Sequence, residues 1–89
     1  MTTLSGRVTL PNNEPARTAV VELHNATGDV VDQVQVDDEG IYRYHVSAAK
    51  WALRAWDGRG HEARAETSVK DGEDKKVDIE LTAEEAPGR

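Results

Sequence analysis

The chain has 89 residues, a formal charge of −6 and no cysteine. That length is one domain, and the missing thiols exclude disulfides, thiolate metal sites and cysteine nucleophiles. The acidic balance weighs against binding nucleic acid or an anionic membrane surface, which need cations to meet phosphate.

No stretch approaches the roughly 20 apolar residues of a membrane span. Met1-Thr2-Thr3-Leu4-Ser5-Gly6-Arg7 lacks the apolar run of a secretory signal, so the expected location is cytoplasmic. Phenylalanine is absent, and the core must come from Val, Leu, Ile and Ala with a few Trp and Tyr. Valine is β-branched and favours strands, so the composition leans all-β.

Leu4, Gly6, Val8 and Leu10 share one parity and predict the first strand. A glycine inside a strand points to a bulge or to a neighbour that leaves no room for a side chain. Pro11-Asn12-Asn13-Glu14-Pro15 reads as a loop, because proline cannot donate to a ladder and asparagine tolerates left-handed dihedrals. The second strand runs from Thr18 to His24, with Ala19, Val21 and Leu23 inward and Val20, Glu22 and His24 outward. A turn at Ala26-Thr27-Gly28-Asp29 leads to a third strand over 30–36. There Asp32 shares the parity of Val30, Val34 and Val36 while Val31 does not, which a bulge or an edge position would reconcile.

The acidic turn Asp37-Asp38-Glu39-Gly40 opens the stretch around which the chain is organised. Tyr42, Tyr44 and Val46 alternate along one strand, and Trp51, Leu53 and Ala55 along the next. Trp51 is expected to be buried, and Trp56, on the opposite parity with Arg54, to stay partly exposed. If these strands paired as a hairpin with Val46 opposite Trp51, Arg43 would face Arg54, and directly opposed like charges are destabilising. A crossover between two sheets is therefore preferred.

Asp57-Gly58-Arg59-Gly60 reads as a turn, and 61–69 as a weak strand with Ala63, Ala65, Thr67 and Val69 on one face. Asp71-Gly72-Glu73-Asp74 is a further turn, and Val77, Ile79 and Leu81 mark the last strand. Seven short strands at even spacing predict a β-sandwich or small barrel. The domain is expected over 1–82, with 83–89 a disordered C-terminal tail.

The order of Gly6-Arg7-Val8, Pro15, Ala19-Val20-Val21-Glu22-Leu23, Asp38-Glu39-Gly40-Ile41-Tyr42-Arg43-Tyr44 and Trp51-Ala52-Leu53-Arg54-Ala55 resembles the carboxypeptidase regulatory-like domain. That resemblance implies a transthyretin-like, seven-stranded Greek-key β-sandwich. Within the group the chain looks most like the uncharacterised actinobacterial DUF1416 family. It differs from the usual pattern at Asn13-Glu14 and Lys50, where relatives often carry glycine, and in lacking an N-terminal cysteine segment. No catalytic residues come with the resemblance. Pilin-type relatives join their first and last strands by a Lys–Asn bond, but 75–82 contains no asparagine. Transthyretin-like hydroxyisourate hydrolases need a histidine near the start and a C-terminal Tyr-Arg-Gly-Ser, and this chain has neither.

The residues themselves carry no clear catalytic constellation. His24, His45 and His61 form no His-x-His pair, and a surface position is the simpler reading of each. Ser5, Ser47 and Ser68 sit in no Gly-x-Ser-x-Gly elbow. The cluster Asp37-Asp38-Glu39-Gly40 lacks the alternating ligands of an EF-hand loop. The expectation is a non-enzymatic module without cofactor or metal. Its partner would be a protein or a second copy of itself, met through a surface centred on Trp56 and Arg54. A carbohydrate or small ligand on the same surface is the alternative. Tryptophan and arginine are the types enriched where interfaces are tightest.

Overall fold

Side chains alternate across a strand, so each apolar run in the chain buries one parity and exposes the other. The computed structural model describes residues 2–58 and 60–83, and these contain nine strands and no helix. They are β1 (Thr3–Thr9), β2 (Val20–His24), β3 (Val30–Gln35), β4 (Ile41–His45), β5 (Ala49–Trp56), β6 (His61–Val69), β7 (Asp74–Lys76), β8 (Ile79–Glu80) and β9 (Thr82–Ala83). One sheet has the order β4-β1-β7 with β8 also on β1, and the other has the order β3-β2-β5-β6-β9. The chain is an all-β sandwich, as its alternation predicts. Leu4, Val8, Tyr42, Tyr44 and Ile79 of the first sheet meet Val21, Leu23, Leu53, Ala55 and Val69 of the second in one core.

The stretch from Tyr42 to Trp56 does cross between sheets. β4 pairs with β1, while β5 pairs with β2 and β6, so Arg43 and Arg54 lie in different sheets. Tyr44 ties the layers together, its buried hydroxyl donating to Val21 O at 2.6 Å. The third strand combines both expected irregularities. It is the edge of its sheet, and the partners step from Leu23↔Asp32 to His24↔Val30, leaving Val31 as the extra residue of a bulge.

Gly6 has the crowded neighbour its position suggests. A Cβ there would sit 1.8 Å from Val77 O, a main-chain atom that cannot swing aside. The same carbonyl explains why the expected last strand appears in two pieces. β7 and β8 both run parallel to β1, and Val77 N donates to Ser5 O. The next ladder bond would run from Arg7 N to Val77 O. Instead Arg7 N donates to Asp78 Oδ1 at 3.0 Å, and Val77 O accepts the Tyr42 hydroxyl at 2.5 Å. Side chains replace one rung, and the strand is interrupted there.

Trp51 departs from expectation. It packs against the core but is half-buried, with Nε1 donating to Ser47 O at 2.9 Å. β5 begins at Ala49, so Trp51 lies near the end of the sandwich, where the covering sheet no longer encloses it. The last pairing sets Thr82 and Ala83 against Glu62 and His61, one residue beyond the expected domain boundary. Residues 84–89, the rest of the expected tail, lie outside the described residues.

Two outcomes follow for stability. Gly6→Ala should cost ~3 kcal/mol or more, beyond ordinary overpacking because the clash is with backbone. Gly58→Ala, with open space around its Cβ, should stay within ~0.5 kcal/mol. Urea unfolding of both variants checks this; near-equal stabilities would contradict it.

The second outcome concerns alkaline pH. Burial, more than their acidic neighbours, pushes both the Tyr42 and Tyr44 phenols well above the usual tyrosine range. The folded state therefore holds those protons more tightly than the unfolded chain. The stability they contribute is full below pH ~10, the unfolded value, and falls as pH rises past it. In a pH series of unfolding midpoints, the Tyr42→Phe, Tyr44→Phe double variant should lose stability less steeply above that pH than wild type. An equal slope would contradict the assignment.

Candidate interaction surface

The outward parity of the five-stranded sheet forms a face whose rows are set by register. Val20, Trp56 and Glu62 lie across one row, and Glu22, Arg54 and Arg64 across the next. His24, Ala52 and Glu66 form a third. Trp56 is half-exposed, as its parity predicts. The Arg54 guanidinium carbon lies 4.9 Å from the Trp56 ring centroid, within cation–π range. Arg54 and Trp56, the pair singled out from the sequence, are therefore in direct contact.

Carboxylates on both flanks hold the guanidinium. Arg54 Nε lies 2.6 Å from Glu62 Oε2, and Nη1 lies 3.7 Å from Glu22 Oε1. The hydrogen bond from Arg54 draws the Glu62 carboxyl below its ordinary value, and Glu62 in turn raises Arg54. Glu22 also meets His24 Nε2 at 3.1 Å. Directly opposite Arg54 stands Arg64, a like-charge pair of the kind that argued against an Arg43–Arg54 hairpin. The face accommodates it because Glu22 and Glu62 take up Arg54.

Next to Trp56 the chain reverses direction between Asp57 and His61; Arg59 lies outside the described residues. Asp57 closes this turn from a buried position. Its Oδ1 accepts His61 N at 3.0 Å, its Oδ2 lies 2.8 Å from His61 Nδ1, and its N–H donates to His61 O at 3.1 Å. Sequence reasoning treated His61 as a surface residue and missed this pair. The available signal was an acid four residues before a histidine across a glycine turn.

A shallow groove opens further along the face, above Ala52. Its small side chain leaves a recess between His24, Lys50, Glu66 and Ser68, walled by the β2–β3 turn at Asn25 and Gly28. The Asn25 side chain is used within that turn, accepting from Thr27 N, Thr27 Oγ1 and Asp29 N. The three histidines are not brought together: His45 lies on β4 in the other sheet. Among the described residues no group of three or more His, Asp or Glu is arranged to hold a metal ion. In the acidic turn, Asp37 Oδ1 accepts from Glu39 N and Ile41 N, both at 2.9 Å. These bonds, led by that from Ile41, lower the Asp37 pKa.

Residues 3–82 match the carboxypeptidase regulatory-like domain family. Among solved structures, the chain is similar to a DUF3823 family protein from Bacteroides ovatus, with a TM-score of 0.66 at 15% identity. The similarity covers 93% of this chain and 44% of that one; at such identity it reports the shared fold. The chain thus spans less than half the length of that protein. Comparison with curated proteins returns no match.

Removing the Arg54 side chain should uncover the Trp56 ring. In a Trp51→Phe background, where Trp56 is the lone indole, Arg54→Ala is expected to increase acrylamide quenching of fluorescence. Quenching unchanged by the substitution would show that the guanidinium does not cover the ring.

Proposed function

We propose that this chain, which belongs to the carboxypeptidase regulatory-like domain family, is a non-enzymatic module that docks a protein partner through the outer face of its five-stranded sheet. The observation that carries the reading is the Trp56–Arg54 pair, an aromatic ring and a guanidinium stacked at 4.9 Å on a half-exposed strand face. Tryptophan and arginine combine large contact area with planar hydrogen bonding. Anchoring Arg54 on Glu22 and Glu62 reduces the rotamer entropy that binding would otherwise remove. The motif order further supports an affiliation with the DUF1416 group, and the cysteine-free, acidic chain suits the cytoplasm, without membrane or nucleic-acid partners.

The second reading is a carbohydrate or small ligand on the same face. The groove over Ala52 supports it, since His24, Lys50, Glu66 and Ser68 offer convergent polar groups around a recess. That recess lies along β5 from Trp56 and not around it.

Partner retention by wild type, Trp56→Ala and Arg43→Ala separates the possibilities. Arg43 lies on the opposite sheet and serves as the control. Trp56→Ala should stay folded and lose the partner that wild type and Arg43→Ala retain. Retention by all three would contradict the docking face. Thermal stabilisation of wild type by a glycan or metabolite, abolished by Glu66→Ala and not by Trp56→Ala, would favour the groove instead.

A further inference from the structure

The five-stranded sheet ends on β3, which pairs with β2 alone among the described residues. Among the described residues the most exposed large apolar side chains are on this strand: Val30 and Val31 are 55% and 52% exposed. An edge with unpaired main-chain groups and exposed β-branched side chains is a template for another strand. Alternation decides which residues offer those groups. Val36 donates its N–H to Ala19 O at 3.1 Å, so Val34 and Asp32, of the same parity, turn their main-chain groups toward β2. Gln33 turns its groups outward. Its N–H is taken up locally, donating to Asp32 Oδ1 at 2.7 Å.

Asp32 is the one formally charged residue between Val30 and Gln35, and it lies opposite Leu23 on the inward parity. Charged side chains and bulges are among the devices by which natural edges resist pairing, and here an exposed charge and a bulge stand side by side. We propose that the β3 edge is a latent pairing site for a second copy of this chain, and that Asp32 is the side chain that keeps it closed. The second copy is the occupant because of charge and hydrogen bonding together. A net charge of −6 sets two copies against each other over most of their surface, whereas β3 sets a single charge and two exposed valines against the same strand of the second copy. A two-fold axis through Gln33 pairs it with itself by reciprocal N–H···O bonds and places Asp32 opposite Val34 of the second copy. A register centred on Asp32 would oppose two carboxylates. In the closed state Asp32 occupies the central donor of that ladder and adds its charge to the approach.

This inference is independent of the docking face around Trp56, and the test keeps them apart. Light scattering over a range of concentrations is measured for wild type, Asp32→Ala, Asp32→Asn, and Asp32→Ala combined with either Val31→Lys or Trp56→Ala. Asp32 is exposed, so the variants retain the core, which thermal unfolding verifies. Wild type should keep the mass of one chain. Asp32→Ala should approach twice that mass as concentration rises, lose the gain with Val31→Lys and keep it with Trp56→Ala. Dimerisation of Asp32→Asn would assign the lock to charge, and its absence beside a dimeric Asp32→Ala would assign it to the hydrogen bond. An Asp32→Ala protein that stays a single chain, or a dimer insensitive to Val31→Lys, would overturn the proposal. So would a wild-type dimer that Val31→Lys breaks.

Discussion

The sandwich depends on how closely β7 and β8 lie against β1. Gly6 contributes no side chain, and the Val77 carbonyl occupies the space where one would stand. The strand entering from β7 can therefore run parallel along β1 and continue as β8. The cost is one ladder bond, and Tyr42 and Asp78 make good both of its ends. A partly buried carbonyl left without a donor is costly, so Gly6, Tyr42 and Asp78 operate as a set. Tyr44 performs the matching task between layers by reaching Val21 O in the opposite sheet. In a chain with few aromatics, both tyrosines thus serve as core volume and as hydrogen-bond donors.

This arrangement leaves the five-stranded sheet with one face committed to the core and one to solvent. Along β5, Leu53 and Ala55 are buried while Arg54 and Trp56 face out. The two outward residues are ordered by their neighbours: Glu62 and Glu22 position the guanidinium, and the guanidinium covers the ring. The adjacent turn is closed by the Asp57–His61 pair, which sets where β6 begins and therefore where Glu62 stands. Surface ion pairs of this kind add little to stability; here their consequence is geometric, holding a planar cation and an aromatic ring in one orientation.

Much of this was legible from alternation and special residues. The parity of Trp51, Leu53 and Ala55 assigned the faces of β5, and the mismatch of Val31 with Asp32 called for an edge or a bulge, of which the strand has both. Gly6 pointed to a bulge or a close approach, and the structure has the close approach. The features that sequence did not disclose depend on distances between strands far apart in the chain. Trp51 follows the inward parity yet stands where the sandwich ends, so parity could not state its burial. The break between β7 and β8 comes from Tyr42, dozens of residues away. The Arg54–Arg64 pair shows why a like-charge rule is weak by itself: its cost depends on neighbours such as Glu22 and Glu62 that register alone brings close.

The proposed docking surface is the outer face carrying Trp56 and Arg54. The most direct measurement is residue-level mapping of backbone and indole NMR signals as the partner retained from the native organism is added. The account predicts perturbations confined to Val20, Glu22, Ala52 to Trp56 and Glu62 to Glu66, with the Trp56 indole shifting and the Trp51 indole, bonded to Ser47 O, unmoved. Perturbations clustered instead on β1, β4 and β7 would contradict it.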